Sequence, residues 1–226
     1  MLKNIRITID GPSGAGKSTI AKYAAKKLGF HYVDTGALYR AIGYYFTSRH
    51  IEITEETIEQ YANDIEVDVF YQEDGQHVRL NGTDVSGEIR TGAAGMAASK
   101  VAAFPKIREK LLGLQRSIAE KYSVVMDGRD IGTTVLPDAE IKIFLTASAE
   151  DRARRRFLEL QQKGEDTTFE QVLRDVEKRD FDDAHRAASP LRQAEDAHRI
   201  DTTGNTLEQS QEQIADYIAG RLSDVL

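Results

Sequence analysis

Cysteine is missing from this sequence altogether, which excludes disulfides and thiolate-held zinc and fits a reducing compartment. A basic surplus is missing too. With 30 Lys and Arg against 37 Asp and Glu the net charge is -7, so no broad positive field exists to gather nucleic acid or an acidic membrane. No apolar run approaches the length of a membrane-spanning helix. The opening residues alternate polar and apolar positions and run into a glycine loop, unlike the uninterrupted apolar segment of a signal peptide. A cytoplasmic protein without nucleic-acid or membrane partners is the expectation. The five histidines, His31, His50, His77, His185 and His198, show no metal-ligand spacing. Internal repeats and low-complexity linkers are also missing. A chain of 226 residues, 40% hydrophobic, can bury a sizeable core, and one compact, monomeric globule with insertions is expected.

Ile5, Ile7 and Ile9 alternate with Asn4, Arg6 and Thr8, so the first segment predicts a strand that stops at Gly11. A helix over residues 17–28 and a short strand at 31–33 follow, and together they make a parallel strand–helix–strand unit. Further strand-length apolar runs lie at 122–126 and 141–145, with a weaker one at 198–200. The fold class is therefore α/β, with five parallel strands wrapped by helices. Residues 64–85 follow another pattern: Ile65, Val67, Val69 and Tyr71 alternate, Asp74-Gly75 and Asn81-Gly82 offer tight turns, and Val78, Leu80 and Val85 continue. They predict a small antiparallel meander inserted into the α/β series and standing off its core. Charged helices over 152–162 and 168–183, broken at Lys163-Gly164, form a pair suited to act as a lid. The apolar face of a last helix over 207–222 is structural.

The chemistry is most legible at Gly11-Pro12-Ser13-Gly14-Ala15-Gly16-Lys17-Ser18, which satisfies G-x-x-x-x-G-K-[ST] between a predicted strand and a predicted helix. Glycines in such a loop let successive backbone N–H groups converge on phosphate oxygens at the positive end of the helix. Lys17 then reaches the β and γ phosphates, and Ser18 offers a hydroxyl to Mg2+. A chance glycine turn is the bland alternative, and the flanking elements argue against it. Asp127 ends the run Tyr122-Ser123-Val124-Val125-Met126 at a strand's carboxyl edge, where α/β sheets place ligands. It is the candidate magnesium carboxylate, although Asp at a strand end is also an ordinary turn former.

Arginines narrow the acceptor. Arg40 opens the helix after the second strand, Arg129 follows Asp127, Arg152, Arg155 and Arg156 share one helix face, and Arg179 and Arg186 flank an acidic stretch. Bidentate guanidinium groups suit two phosphorylated substrates, while for each arginine of the 152–162 helix a solvated, salt-bridged face is an equal alternative. An acceptor that is already a phosphate needs no general base, because its second pKa is about 6. An alcohol acceptor would need a carboxylate, for which Asp34 is the unassigned candidate. A guanine-nucleotide switch would carry Asn-Lys-x-Asp, which is absent.

Taken together, these residues resemble bacterial cytidylate kinases over nearly the whole chain. The resemblance is carried by Asp10 to Thr19, by Asp34-Thr35-Gly36-Ala37-Leu38-Tyr39-Arg40, by Gly82-Thr83-Asp84-Val85-Ser86-Gly87-Glu88-Ile89-Arg90, and by Ala98-Ser99-Lys100-Val101-Ala102-Ala103-Phe104-Pro105-Lys106-Ile107-Arg108. It implies a kinase that uses ATP and Mg2+ on CMP and dCMP. It also implies one P-loop kinase domain with its core at about residues 1–40, 104–150 and 190–226, a monophosphate-binding subdomain at about 41–103 and a lid at about 151–189. Gly11, Pro12, Ser13, Gly14, Ala15, Gly16, Lys17, Ser18 and Thr19 would hold ATP, with Ser18 and Asp127 at the metal. By the same resemblance Ser99, Arg108 and Asp130 would read cytosine, while Arg40, Arg129 and Arg186 would hold phosphate. Arg179 and Asp183 would hold the sugar, with Thr35 beside it. Arg152, Arg155 and Arg156 would close over ATP, Arg155 acting on the transferred group and Arg156 on the nucleotide. Lys17, Arg129, Arg155 and Arg186 are the expected catalytic residues. Ala184-His185 departs from the family pattern and is assigned no role.

Overall fold

A computed structural model describes residues 4–225; Met1–Lys3, where the opening alternation begins, lie outside it. The order of elements is β1 (Arg6–Asp10), α1 (Lys17–Leu28), β2 (His31–Asp34), α2 (Thr35–Thr47), α3 (Glu55–Tyr61), β3 (Val67–Gln72), β4 (Gly75–Leu80), β5 (Thr83–Asp84), α4 (Gly92–Val101), α5 (Pro105–Lys121), β6 (Val124–Gly128), β7 (Ile141–Thr146), α6 (Ala149–Gln162), α7 (Phe169–His185), β8 (His198–Asp201) and α8 (Leu207–Val225). Five strands form one parallel sheet in the order β2-β6-β1-β7-β8, and β3-β4-β5 form a separate antiparallel sheet. Both sheets were expected from the change of period along the chain.

The alternation in β1 means something other than a half-wet strand. Its polar positions Thr8 and Asp10 are buried together with Ile7 and Ile9, because β1 is the central strand and has cover on both faces. On one face Ile5, Ile7, Ile9, Val125, Ile141, Ile143 and Ile200 pack against Ile20, Ala21 and Ala24 of α1 and Ile214 and Ile218 of α8. On the other, Met126 and Val33 meet Ile118 of α5 and Ile131 and Val135 of the π-helical turn Ile131–Val135.

The three-stranded sheet is tied down more firmly than its sequence suggests. Val78, Leu80 and Val85 share a buried cluster with Leu38, Ile42 and Phe46 of α2 and with Ile107 and Leu111 of α5. Gln76 also accepts a hydrogen bond from Asp34 N and donates to Asp34 O, at 2.7 and 3.2 Å. The β3–β4 loop is Glu73-Asp74, with Gly75 opening β4 at φ 121°, one residue earlier than the expected turn. Asn81-Gly82 joins β4 to β5 with both residues at positive φ, 48° and 81°, as a type I′ turn requires. Helices α6 and α7 pair over a small core of their own: Ala153, Phe157, Phe169, Val172 and Val176.

Candidate active site

Residues 11–16 leave the carboxyl end of β1 and turn into α1 through three glycines at positive φ: Gly11 (150°), Gly14 (77°) and Gly16 (86°). At Gly11 the glycine is obligatory, since a Cβ would stand 1.9 Å from the Leu145 carbonyl oxygen. Helix α1 has no side-chain cap, which leaves its first N–H groups facing the loop's concavity. Lys17 is buried and donates to Pro12 O at 2.7 Å. Burial, with Arg129 nearby, pulls its pKa well below the ordinary lysine value. A phosphate would relieve that deficit of negative charge.

Ser18 Oγ donates to Asp127 Oδ2 at 2.8 Å and Tyr32 OH to Oδ1 at 2.9 Å. Burial, with Asp34 adding to it, raises the Asp127 carboxyl to about 6. Two hydroxyls therefore fix the carboxylate beside the loop. Tyr32 was not picked out from the sequence, where an aromatic in a short strand reads as core. Thr35 Oγ1 donates to Asp127 O at 2.8 Å, which joins the start of α2 to β6. Asp34 is fully engaged: Oδ1 accepts Ala37 N at 2.9 Å as the cap of α2, and Oδ2 pairs with Arg40 at 2.8 Å. A free base for an alcohol acceptor is thus not held ready there.

Across the crevice, guanidinium groups and carboxylates alternate. Arg108 of α5 pairs with Asp130 Oδ2, both almost fully buried. Asp130 Oδ1 lies 3.6 Å from Arg186 Nη2, Arg186 Nη1 lies 3.8 Å from Asp183 Oδ1, and Asp183 Oδ2 accepts from Arg129 Nε at 2.8 Å. The arginines around it hold the Asp183 carboxyl below its ordinary value against the opposing effect of burial. Arg179 is partly buried beside Arg129 and Asp183, its pKa lowered mainly by desolvation. Arg108 Nε, Arg179 Nε and Arg186 Nη2 are buried atoms without hydrogen-bond partners among the described residues. Such donors mark a place built for an anion or a polar ligand. A cavity of about 240 Å³ opens between Tyr39, Arg108, Gln115, Asp130 and Ser189. Among the described residues Ser99 of α4 bonds only its own helix, to Gly95 O at 3.4 Å.

Arg152, Arg155 and Arg156 of α6 take separate partners. Arg152 folds inward, donating to Ala147 O at 2.9 Å and Ser13 O at 3.0 Å and pairing with Asp180 at 2.5 Å. Arg155 pairs with Asp151 at 2.6 Å and donates to Thr202 O at 2.8 Å, and Arg156 pairs with Glu159 at 3.0 Å. The helix keeps them at the spacing that shares a side, while their partners differ. Neighbouring carboxylates and carbonyls, more than helical spacing, decide where each long side chain goes, and of the three only Arg152 bonds the nucleotide loop.

A parallel α/β sheet, a phosphate loop running into α1, and a serine hydrogen-bonded to a buried aspartate beside it define a P-loop phosphoryl-transfer protein. The family model described as cytidylate kinase matches residues 7–220. A cytidylate kinase of Carboxydothermus hydrogenoformans is 48% identical over 98% of this chain and 100% of its own. One of Desulfitobacterium hafniense is 51% identical, over 99% and 95%. The chain belongs to the cytidylate kinase family. The crystal structure of an uncharacterized protein from Eubacterium ventriosum shares the fold, with a TM-score of 0.52 at 16% identity over 96% of this chain and 99% of that one.

Proposed function

We propose that this kinase transfers the γ-phosphoryl group of ATP to CMP, and to dCMP, giving ADP and CDP or dCDP for pyrimidine nucleotide supply. One observation carries the proposal: a phosphate loop with a buried lysine stands with Arg179 and with four arginines, Arg40, Arg108, Arg129 and Arg186, which among the described residues form ion pairs with three carboxylates, Asp34, Asp130 and Asp183. Two polyanionic substrates bring the missing negative charge.

Residues 11–19 hold the triphosphate of ATP, and Lys17 lies along its β and γ phosphates. Ser18 and Asp127 suit Mg2+, which takes few protein ligands and completes its shell with phosphate oxygens and water. Bound there, Mg2+ neutralises charge on the donor phosphates. Arg40, Arg129 and Arg186 grip the acceptor phosphate, Arg179 and Asp183 its sugar with Thr35 beside it, and Ser99, Arg108 and Asp130 its base. Cytosine presents an exocyclic amine where uracil presents an oxygen, and an Asp130 carboxylate oxygen accepts from the amine. The acceptor phosphate attacks as its dianion without a general base. Catalysis is positioning plus charge neutralisation. Residues 151–189 close as a lid to exclude water, bringing Arg155 and Arg156 toward the donor.

A coupled assay of ADP release tests this with ATP against CMP, dCMP, UMP, AMP and GMP. CMP and dCMP should lead; a preference for AMP or GMP would overturn the acceptor assignment.

A further inference from the structure

Asp10 is the last residue of β1 and stands immediately before the first glycine of the nucleotide loop. It is 4% exposed, yet its carboxylate is fully used. Oδ1 accepts the Ile131 N–H at 2.8 Å and Oδ2 accepts the Gly132 N–H at 2.7 Å. These are the first two residues of the turn Ile131–Val135, which has no side-chain cap of its own. A carboxylate from the neighbouring strand thus takes the N–H groups that begin a helical turn.

The fit is close on every side. A Cβ at Gly132 would meet Thr8 Oγ1 at 3.0 Å, Lys142 Cδ at 3.2 Å and Asp10 Oδ2 at 3.3 Å, so a side chain there would have to push these neighbours back. Ile131 is buried, and Asp130 O accepts from Thr134 N at 2.9 Å. Arg129 and Asp130 come directly before the anchored turn. Beyond the pairing of β1 with β6, which ends at Asp10 and Gly128, one carboxylate and two hydrogen bonds join the start of the nucleotide loop to the residues that follow Asp130.

We propose that Asp10 is a positioning residue for acceptor selection: by pinning Ile131 and Gly132 it sets the orientation of Asp130 against Arg108, and it ties that orientation to the nucleotide loop. This rests on the assignment of Asp130 to the acceptor's base. An amide in place of the carboxylate sets an N–H against one of the two backbone N–H groups, so one bond is lost and the turn rotates. A longer or misdirected Asp130 contact then falls on CMP more heavily than on UMP.

The test is steady-state kinetics with CMP and UMP at saturating ATP for the parent, Asp10→Asn, Asp130→Asn and the double variant, each checked by thermal melting. For Asp10→Asn the expected result is a rise in KM for CMP on the order of tenfold, a much smaller change in kcat, and a reduced preference for CMP over UMP. The double variant should be no worse than Asp130→Asn alone to within about twofold, since both act on one contact. Equal losses for CMP and UMP, or effects that multiply in the double variant, would overturn the proposal. Should Asp10→Asn fail to fold, Gly132→Ala, whose Cβ would crowd Asp10 Oδ2 and Thr8 Oγ1, displaces the same turn and must give the same pattern. If Asp130→Asn itself leaves the CMP preference intact, the base assignment is wrong and the role of Asp10 falls with it. If only Asp130→Asn alters the preference, the role of Asp10 alone is wrong.

Discussion

Replacing Gly43 with alanine sets two effects of opposite sign against each other. Gly43 lies buried within α2, and alanine in a helix interior is favoured over glycine by roughly 0.8–1.0 kcal/mol. A Cβ at this position, however, would stand 2.7 Å from Ala97 Cβ, 2.9 Å from the Ala97 carbonyl carbon and 3.1 Å from Ala98 N. Carbon atoms sit comfortably at about 3.5–4.0 Å, and two of the three obstructing atoms are α4 backbone, which no rotamer change can move. The helices must separate by several tenths of an ångström, and overpacking of this kind costs about 1–3 kcal/mol. With two contacts under 3.0 Å the cost falls in the upper part of that range, about 2–3 kcal/mol, so overpacking wins by about 1–2 kcal/mol, or a fall in Tm of about 2–8 °C in a chain of this size. Ser99 rides on α4 two residues beyond Ala97, so KM for CMP should rise while KM for ATP holds. Urea denaturation followed by circular dichroism gives the first quantity and steady-state kinetics the second. A variant as stable as the parent would refute the reasoning, because helix propensity alone would then have decided the outcome.

Three further outcomes are expected. Lys17→Ala should abolish phosphoryl transfer while circular dichroism and melting remain those of the parent; retained turnover would exclude Lys17 from the donor site. Asp130→Ala leaves Arg108 and Arg186 without their shared carboxylate, so it should destabilise the free enzyme by about 3–5 kcal/mol and weaken CMP more than UMP in kinetic assays; equal losses would contradict base reading. The Asp10 carboxyl is raised by burial from 3.8 to about 6, so the folded state holds its proton more tightly than the unfolded chain. The stability it contributes is full below 3.8 and is lost as pH rises through about 6. Relative to Asp10→Asn, the parent should lose on the order of 1 kcal/mol between about pH 5 and about pH 7; a constant difference in urea denaturation across that range would contradict it.

Local chemistry made much of the fold legible. The loop at residues 11–18 carries its own conformational requirements, and Asn81-Gly82 dictates a hairpin by itself. The change from mixed strand–helix spacing to period-two alternation separates the two sheets before any contact is known. Contacts between distant segments were not legible. Nothing near Gly43 announces that Ala97 lies against it, and nothing in the polar positions of β1 announces a turn capped from Asp10. Arginine placement was only half legible: Arg108 and Arg186 meet Asp130, whereas Arg155 and Arg156 follow the carboxylates nearest to them. Long, flexible cations take their direction from partners that spacing alone does not reveal.

Phosphorus NMR of the purified protein with ATP, CMP and excess Mg2+ tests the central claim most directly. The β-phosphate resonance of CDP should appear as ATP is consumed, in equal amounts, and should fail to appear when the cation is chelated. Conversion of ATP to inorganic phosphate with CMP left unchanged would contradict the account.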